Sequence, residues 1–250
     1  MKNVKAPLSY LDPDFVQSKE GRPLRILSEY LDPERKLKLN NIEHTVVFFG
    51  SARTKPDSSD PLSFAYNAAE DLAYNLAKWS STIEDPSRKI YICTGGGPGA
   101  MEAANKGAAR AGEKTIGLNI ALPFEQEPNP YISPELNMEF HYFYMRKLWF
   151  LYHSKAIIVF PGGFGTMDEL FETLTLIQTK KIDKPHLPVL LYNKKFWESL
   201  INFDIMKDNG LISPEDLNLF RYFDTTDEAM KILVPEITEL VDNYSAKNFF

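Results

Sequence analysis

Five short runs in this chain are apolar on both faces: "TVVFF" (Thr45 to Phe49), "IYIC" (Ile90 to Cys93), "TIGL" (Thr115 to Leu118), "AIIVF" (Ala156 to Phe160) and "VLLY" (Val189 to Tyr192). A strand with no polar face has to be covered on both sides, which is the situation in a parallel sheet flanked by helices. Helical patterns fill the gaps between the runs: Ser63 to Trp79, Gly99 to Arg110 closed by Gly112, His141 to Ser154, Thr166 to Lys181 and Phe196 to Asp208. The alternation predicts an α/β fold, a doubly wound parallel sheet with helices on both faces. Two late segments open with helix-start chemistry, Ser213 with Pro214 and Thr226 with Asp227.

The 250 residues, 44% of them hydrophobic, suffice for one substantial core, so residues 44–250 are expected to form a single domain. Residues 1–43 stand apart, with Pro7, Pro13, Pro23 and Pro33 and one amphipathic piece, Leu24 to Leu31. They read as an extension that packs on the core or on a partner subunit. Two stretches read as loops, Arg53 to Pro61 and Leu122 to Glu135, the second long enough for a lid.

Several functional classes are excluded early. A net charge of -6 with acids and bases interspersed leaves no electrostatic footprint for duplex nucleic acid. No stretch approaches the roughly 20 apolar residues of a membrane span, and Met1 to Tyr10 lacks a signal-peptide core, so a cytoplasmic location is expected. The single cysteine, Cys93, ends an apolar run and reads as core. His44, His141, His153 and His186 have no metal-ligand spacing, and neither a metal nor a cofactor is expected. No G-x-x-x-x-G-K-[ST] sequence is present. Gly95, Gly97 and Ala100 meet the loose dinucleotide pattern, but Asn119 stands where the ribose-binding acid belongs.

Three strand ends carry the chemistry: "FFGSAR" (Phe48 to Arg53), "CTGGGPGAMEAAN" (Cys93 to Asn105) and "FPGGFGTMDE" (Phe160 to Glu169). In an open parallel sheet these turns emerge at the carboxyl edge, where one ligand can touch all three. Glycines let backbone N–H groups approach an anion, and a helix N-terminus adds unpaired donors and a favourable dipole. Gly50 and Ser51, then Gly95, Gly96, Gly97 and Gly99, then Gly162, Gly163, Gly165 and Thr166 are therefore candidates for holding a phosphate. The carboxylates of the third helix are harder to read. Thr166 and Glu169 form T-x-x-E, a capping box that explains Glu169 without chemistry. Glu172 lies on the same helix face as Glu169 and no cap requires it, so the spacing leaves Glu169 open between cap and catalyst.

The segments "GGGPGAMEAANKGA", "LNIALPFEQEPNPYI", "YFYMRKLWF" and "PGGFGTMDELFE", in this order, resemble the LOG (LONELY GUY) family of Rossmann-like proteins, long labelled possible lysine decarboxylases. The resemblance covers about Glu43 to Asn193. It implies a phosphoribohydrolase that cleaves nucleoside 5'-monophosphates, notably cytokinin riboside monophosphates, into base and ribose 5-phosphate. By residue-level match it implies catalytic roles for Arg146 and Glu169 and a binding motif of Lys147, Gly162, Gly163, Gly165 and Thr166. It also implies a homodimer. The N-terminal extension and "PGAMEAAN" resemble the longer, mostly bacterial branch, for which AMP-like nucleotides are expected as well.

The chemistry runs in the same direction. Breaking an N-glycosidic bond develops positive charge on the ribose, which a carboxylate stabilises while it orients or deprotonates water. Glu169 is the candidate for that role, with Glu172 second; Glu102 is a candidate for ribose hydroxyls. Arg146 either holds phosphate through its fork of donors or orients Glu169, its alternative being an ordinary surface arginine. Decarboxylation would need a Schiff-base lysine for pyridoxal phosphate, and only Lys147 is a candidate. A different class stays open: a non-catalytic carrier of a nucleotide or phosphorylated cofactor, in which Glu169 only caps its helix.

Overall fold

The computed structural model describes residues 6–57, 59–123, 127–184 and 186–243. In chain order they form α1 (Pro13–Gln17), α2 (Arg22–Leu39), β1 (His44–Phe49), α3 (Ser63–Ser81), β2 (Ile90–Thr94), α4 (Ala100–Arg110), β3 (Thr115–Ile120), β4 (Asn137–Phe140), α5 (Phe143–Tyr152), β5 (Ser154–Val159), α6 (Phe164–Gln178), β6 (Val189–Tyr192), α7 (Lys194–Leu200), α8 (Phe203–Asp208), β7 (Arg221–Phe223) and α9 (Thr226–Asp242). All the strand pairings are parallel, in the order β4-β3-β2-β1-β5-β6-β7. The chain winds outward from β1 to β4, then returns to lay β5 beside β1 and winds the other way. The switch point between β1 and β5 opens a crevice at the carboxyl edge of the sheet.

Successive strand residues serve opposite faces. Val46, Phe48, Ala156 and Ile158 meet a layer of small and aliphatic side chains from α3, α4 and α9, among them Leu72, Leu76, Ala103, Ala104 and Leu233. Val47, Phe49, Ile157 and Val159 face larger groups from α2, α5 and α6, including Leu37, Trp149, Phe150, Leu170 and Leu174. Cys93 lies in this second layer, and burial pushes its thiol far above its ordinary range. The alanines of α4 let it sit close to α3 and the sheet.

All five expected strands form, and two more flank them. In β4 only Met138 and Phe140 are buried while Asn137 and Glu139 are exposed, as an edge strand allows. The helix expected over Phe196 to Asp208 is two helices, because Ile201 is extended and the Asn202 side chain caps a new start by accepting from Ile205 N–H at 3.3 Å. Ser213 opens a 3-10 helix rather than an α-helix, and Thr225, not Thr226, caps α9 in a capping box with Glu228.

The N-terminal extension supplies α2, longer than the amphipathic piece seen in the sequence. Leu24, Leu27 and Leu31 are exposed; Ile26, Tyr30, Pro33 and Leu37 face the core. Pro33 sits inside the helix, where it has no N–H for the carbonyl of Glu29. Trp149 of α5 fills the gap, its indole N–H donating to that carbonyl at 3.1 Å.

The turns after β1, β2 and β5 are tied to one another by the backbone. Ser51 N–H donates to Pro161 O at 3.0 Å, and Ala100 N–H donates to Ser51 O at 2.9 Å. Two glycines permit the approach: a Cβ on Gly50 would lie 2.6 Å from Ala100 Cβ, and one on Gly99 would lie 2.2 Å from Ser51 O. Gly99 also holds φ at 73°. Gly99→Ala therefore combines a backbone clash with strain and is expected to cost roughly 1–3 kcal/mol or more in urea unfolding. A variant as stable as the parent would contradict this account of the turn.

Candidate active site

The crevice at the switch point is a cavity of about 600 Å³. The turn after β1 lines it with Gly50, Ser51, Ala52 and Arg53, and the turn into α6 with Gly162, Gly163, Phe164, Gly165 and Thr166. Arg146 and Phe150 of α5, Glu169 of α6, and Phe49, Met101, Met167 and Leu200 complete it. Gly50, Ser51, Arg146, Gly162, Gly163, Gly165, Thr166 and Glu169, singled out in the sequence, thus share one wall or another of a single cavity.

The start of α6 differs from the T-x-x-E reading. The helix begins at Phe164, its N-cap is Gly163, and no side chain makes a cap hydrogen bond. Thr166 is the third helical residue, buried, and packed so closely on Gly162 that a Cβ there would lie 2.1 Å from Thr166 Oγ1. Glu169 is one further turn into the helix and caps nothing. The first-turn N–H groups of Phe164, Gly165 and Thr166 are the ones a helix leaves without internal partners, and they open onto the cavity. Gly163 and Gly165 have open space where a side chain would stand. Phe164, 96% exposed, sits at the cavity mouth.

The remaining carboxylates of α6 are met by α5. Lys147 Nζ lies 2.9 Å from Asp168 Oδ2, 2.6 Å from Glu172 Oε2 and 3.6 Å from Glu169 Oε2. Arg146 Nη2 lies 3.7 Å from Glu169 Oε1, and its guanidinium is held near the rings of Phe143 and Phe150 at 5.2 and 5.4 Å. At 3.7 Å the Arg146–Glu169 contact is an electrostatic pairing rather than a hydrogen bond. Arg146 Nε is buried without a hydrogen-bond partner among the described residues, and the residue lines the cavity.

These surroundings set the protonation of Glu169. The residue is 7% exposed, and burial raises its pKa to about 7, against the pull of Lys147 and Arg146 and with a smaller push from Glu172 and Asp168. Burial also lowers the pKa of Arg146, although Glu169 and Asp168 oppose that change. Lys147 behaves oppositely: burial works against its charge, but hydrogen bonds to Asp168 and Glu172 and the Glu169 charge win, and its pKa is raised. An ammonium held this firmly protonated is a poor Schiff-base nucleophile.

The second glycine turn is largely spent on structure. Gly95, Gly96, Gly97 and Gly99 are buried. Gly96 N–H donates to Thr94 Oγ1 at 2.9 Å, and the Asn129 side chain donates to Gly96 O and Gly97 O at 3.0 and 3.1 Å. Asn129 also reaches Asn105 Oδ1 at 2.9 Å, so this part of the loop after β3 is pinned rather than free as a lid. The turn reaches the cavity through Met101. Gly95, Gly96, Gly97, Gly99, Glu102, Lys147 and Glu172 are outside the cavity lining, although a Cβ on Gly95 would lie 3.9 Å from Arg146 Nη1. Glu102 accepts from Tyr66 Oη at 3.0 Å. The sequence offers Phe124, Tyr131, Phe140 and Tyr142 as aromatics for a base pocket; Phe140 and Tyr142 are core, Tyr131 is half-buried and outside the cavity lining, and Phe124 lies outside the described residues. Sequence reasoning assigned no role to Arg53, Phe150 or Asn129; only the order of the strands shows that the first two face Glu169's cavity.

An open parallel sheet whose glycine turns and uncapped helix start meet at the reversal of strand order is a Rossmann-like fold. Residues 101–233 match the family described as "Possible lysine decarboxylase", and the chain belongs to that family, the LOG family. A cytokinin riboside 5'-monophosphate phosphoribohydrolase of Arabidopsis thaliana is 30% identical over 191 residues, 75% of this chain and 80% of the relative. A pyrimidine/purine nucleotide 5'-monophosphate nucleosidase of Escherichia coli (strain K12) is 34% identical over 116 residues, 43% of this chain and 25% of the relative. In fold, the chain is similar to the molybdenum cofactor binding protein of Rippkaea orientalis, with a TM-score of 0.53 at 18% identity over 77% of this chain and 95% of that one.

The raised pKa of Glu169 has a consequence for stability. The folded protein keeps this proton up to about pH 7, whereas an unfolded chain releases it near 4.5, so the folded state binds more protons in between. Stability attributable to Glu169 falls as pH rises through that window, and the whole penalty is present above it. Glu169→Gln, which mimics the protonated form, is expected to be more stable than the parent at pH 8, on the order of 1–3 kcal/mol, with the difference fading toward pH 4.5. Urea titrations at the two pH values check this; a variant no more stable at pH 8 would contradict the burial account.

Proposed function

We propose that this chain hydrolyses the N-glycosidic bond of nucleoside 5'-monophosphates, AMP-like or cytokinin riboside monophosphate, to free base and ribose 5-phosphate. The observation that carries the reading is Glu169: a buried carboxyl that caps no helix, faces a cavity, and is poised near neutral pH beside two cations. The names of the plant and bacterial relatives support the same reaction class.

In this reading the 5'-phosphate sits at the start of α6, against the N–H groups of Gly163, Phe164, Gly165 and Thr166, with Gly162 allowing the tight turn. Ser51 uses its N–H and carbonyl to join the turns, and its hydroxyl accepts from Arg53 N–H within its own turn, so the Ser51 backbone shapes the floor rather than binding the phosphate. The ribose then lies over Glu169. As the bond between C1' and the base nitrogen lengthens, its electron pair leaves with the base and the ionised Glu169 stabilises the cationic sugar. Water adds to C1', Glu169 accepts its proton, and the departing base is protonated in turn. Arg146 holds Glu169 and offers its free donors to the substrate; Lys147 neutralises Asp168 and Glu172 so that Glu169 is not surrounded by negative charge alone. Phe49, Met101, Phe150, Phe164 and Leu200 supply apolar surface for a base.

Pyridoxal-dependent decarboxylation fits poorly, since Lys147 is bound to three carboxylates and its charge is stabilised. The test is a panel of nucleoside 5'-monophosphates, including AMP and an isoprenylated adenosine monophosphate, incubated with the protein and with Glu169→Gln. Chromatography is expected to show base and ribose 5-phosphate from the parent, and a rate at least about 100-fold lower from the variant at similar affinity. Equal rates would remove Glu169 from the mechanism. No release, with nucleotide-dependent thermal stabilisation intact, would make the chain a carrier.

A further inference from the structure

The helix that carries Arg146 and Lys147 is held at both ends by side chains from elsewhere in the chain. Tyr142, the N-cap of α5, has no capping side-chain bond of its own. Glu29 of α2 acts instead: His141 N–H donates to its Oε1 at 2.8 Å and Tyr142 N–H to its Oε2 at 3.1 Å. The carbonyl of the same Tyr142 then accepts from the backbone N–H of Arg146 at 3.3 Å. Two hydrogen bonds therefore connect the Glu29 carboxylate to the backbone of Arg146. At the other end Lys184 Nζ donates to Tyr152 O and Ser154 O at 2.9 and 2.8 Å. Negative charge at the start matches the helix dipole.

Glu29 is tied twice. Its own carbonyl accepts from Trp149, about one helical turn along α5 from Arg146, because Pro33 leaves that carbonyl free. Tyr30 adds a ring contact to Trp149 at 5.6 Å between centroids, and Arg22 lies over the Tyr142 ring at 5.7 Å. These contacts fix the height and rotation of α5 against the sheet. The Arg146–Glu169 separation of 3.7 Å and the Lys147–Glu169 separation of 3.6 Å depend on that placement, since no hydrogen bond joins either pair directly.

We infer that Glu29, in the N-terminal extension, is a positioning residue for the active site: it anchors the start of α5 and thereby sets Arg146 and Lys147 against Glu169. The groups that face Glu169 are Arg146 and Lys147 from α5, Asp168 and Glu172 from α6, and Arg53 from the turn after β1, which lines the same cavity. Of these only the two α5 cations move when α5 is released. Glu29→Ala lets them withdraw, and the Glu169 carboxyl then titrates at higher pH than in the parent.

The kinetic half of this inference rests on the hydrolase reading; the titration half does not. Two measurements are made on the full chain carrying Glu29→Ala, with Glu29→Gln as the conservative variant and Thr225→Ala, which removes the cap of the remote α9, as the stability control. The first is kcat and KM for AMP hydrolysis across pH. The second is the carbon-13 NMR titration of the Glu169 side-chain carboxyl, assigned by its loss in Glu169→Gln. Glu29→Ala is expected to lower kcat about tenfold with KM changed less than about threefold, and to move both the acid limb of kcat and the carboxyl midpoint upward by about half a unit or more. Glu29→Gln, which keeps an acceptor oxygen, restores most of both, and Thr225→Ala moves neither. If Glu29→Ala does not fold, the smaller upward displacement of the midpoint in Glu29→Gln supports the positioning role in its place. A parent that releases no base while Glu29→Ala still displaces the carboxyl midpoint would sink the hydrolase reading and leave the positioning role standing. An unchanged midpoint in both Glu29 variants would overturn the positioning role whatever the activity.

Discussion

Placing one carboxylate out of water beneath two cations on a neighbouring helix is the arrangement on which the rest of this site depends. Desolvation alone would keep Glu169 protonated well above neutrality; Arg146 and Lys147 alone would hold it ionised well below. The balance leaves it able to change protonation near physiological pH, as a group that both stabilises a cation and accepts a proton has to. The balance is also costly. A buried ion cluster joined by contacts longer than hydrogen bonds contributes little net stability. It persists because α5 and α6 are fixed independently, α6 by Leu170, Leu174 and Ile177 in the core and α5 by Met145, Trp149 and Phe150.

The density of negative charge on α6 has the same explanation. Asp168, Glu169 and Glu172 would repel one another and any phosphate if left alone, and they stand close behind a helix start that attracts anions. Lys147 answers Asp168 and Glu172 at short range, and Arg146 faces Glu169. In the proposed reading the glycines in front and the carboxylates behind serve different ends of one molecule: donors for a phosphate, a carboxylate for a sugar. The sheet makes this possible, because at the reversal of strand order the connections after β1 and β5 lead to helices on opposite faces, α3 and α6, and leave a crevice at the carboxyl edge.

Much of this was legible in the amino-acid sequence, and for definite reasons. The five central strands declare themselves because covered strands have no polar face; β4 and β7, short and at the edges, do not. The glycine turns were readable because close backbone approach demands glycine, as at Gly50 and Gly99. T-x-x-E misled in its local reading, because a capping box needs threonine outside the helix and here α6 starts before Thr166. The pairing of Arg146 with Glu169 came from the family resemblance. Pattern alone could not supply it, since those residues lie on different helices separated by β5. Nothing local in "SEYLDP" marks Glu29 as the partner of a distant helix start; that contact exists only once α2 has folded over α5.

The most direct test of this account is the titration of Glu169 itself, followed by carbon-13 NMR in the parent and in Lys147→Met. The account predicts a midpoint near 7 in the parent, and a higher one when the cation that lowers it is gone. A parent midpoint near the ordinary 4.5, or a midpoint unmoved by loss of Lys147, would show that the carboxylate is not poised between burial and its two cations.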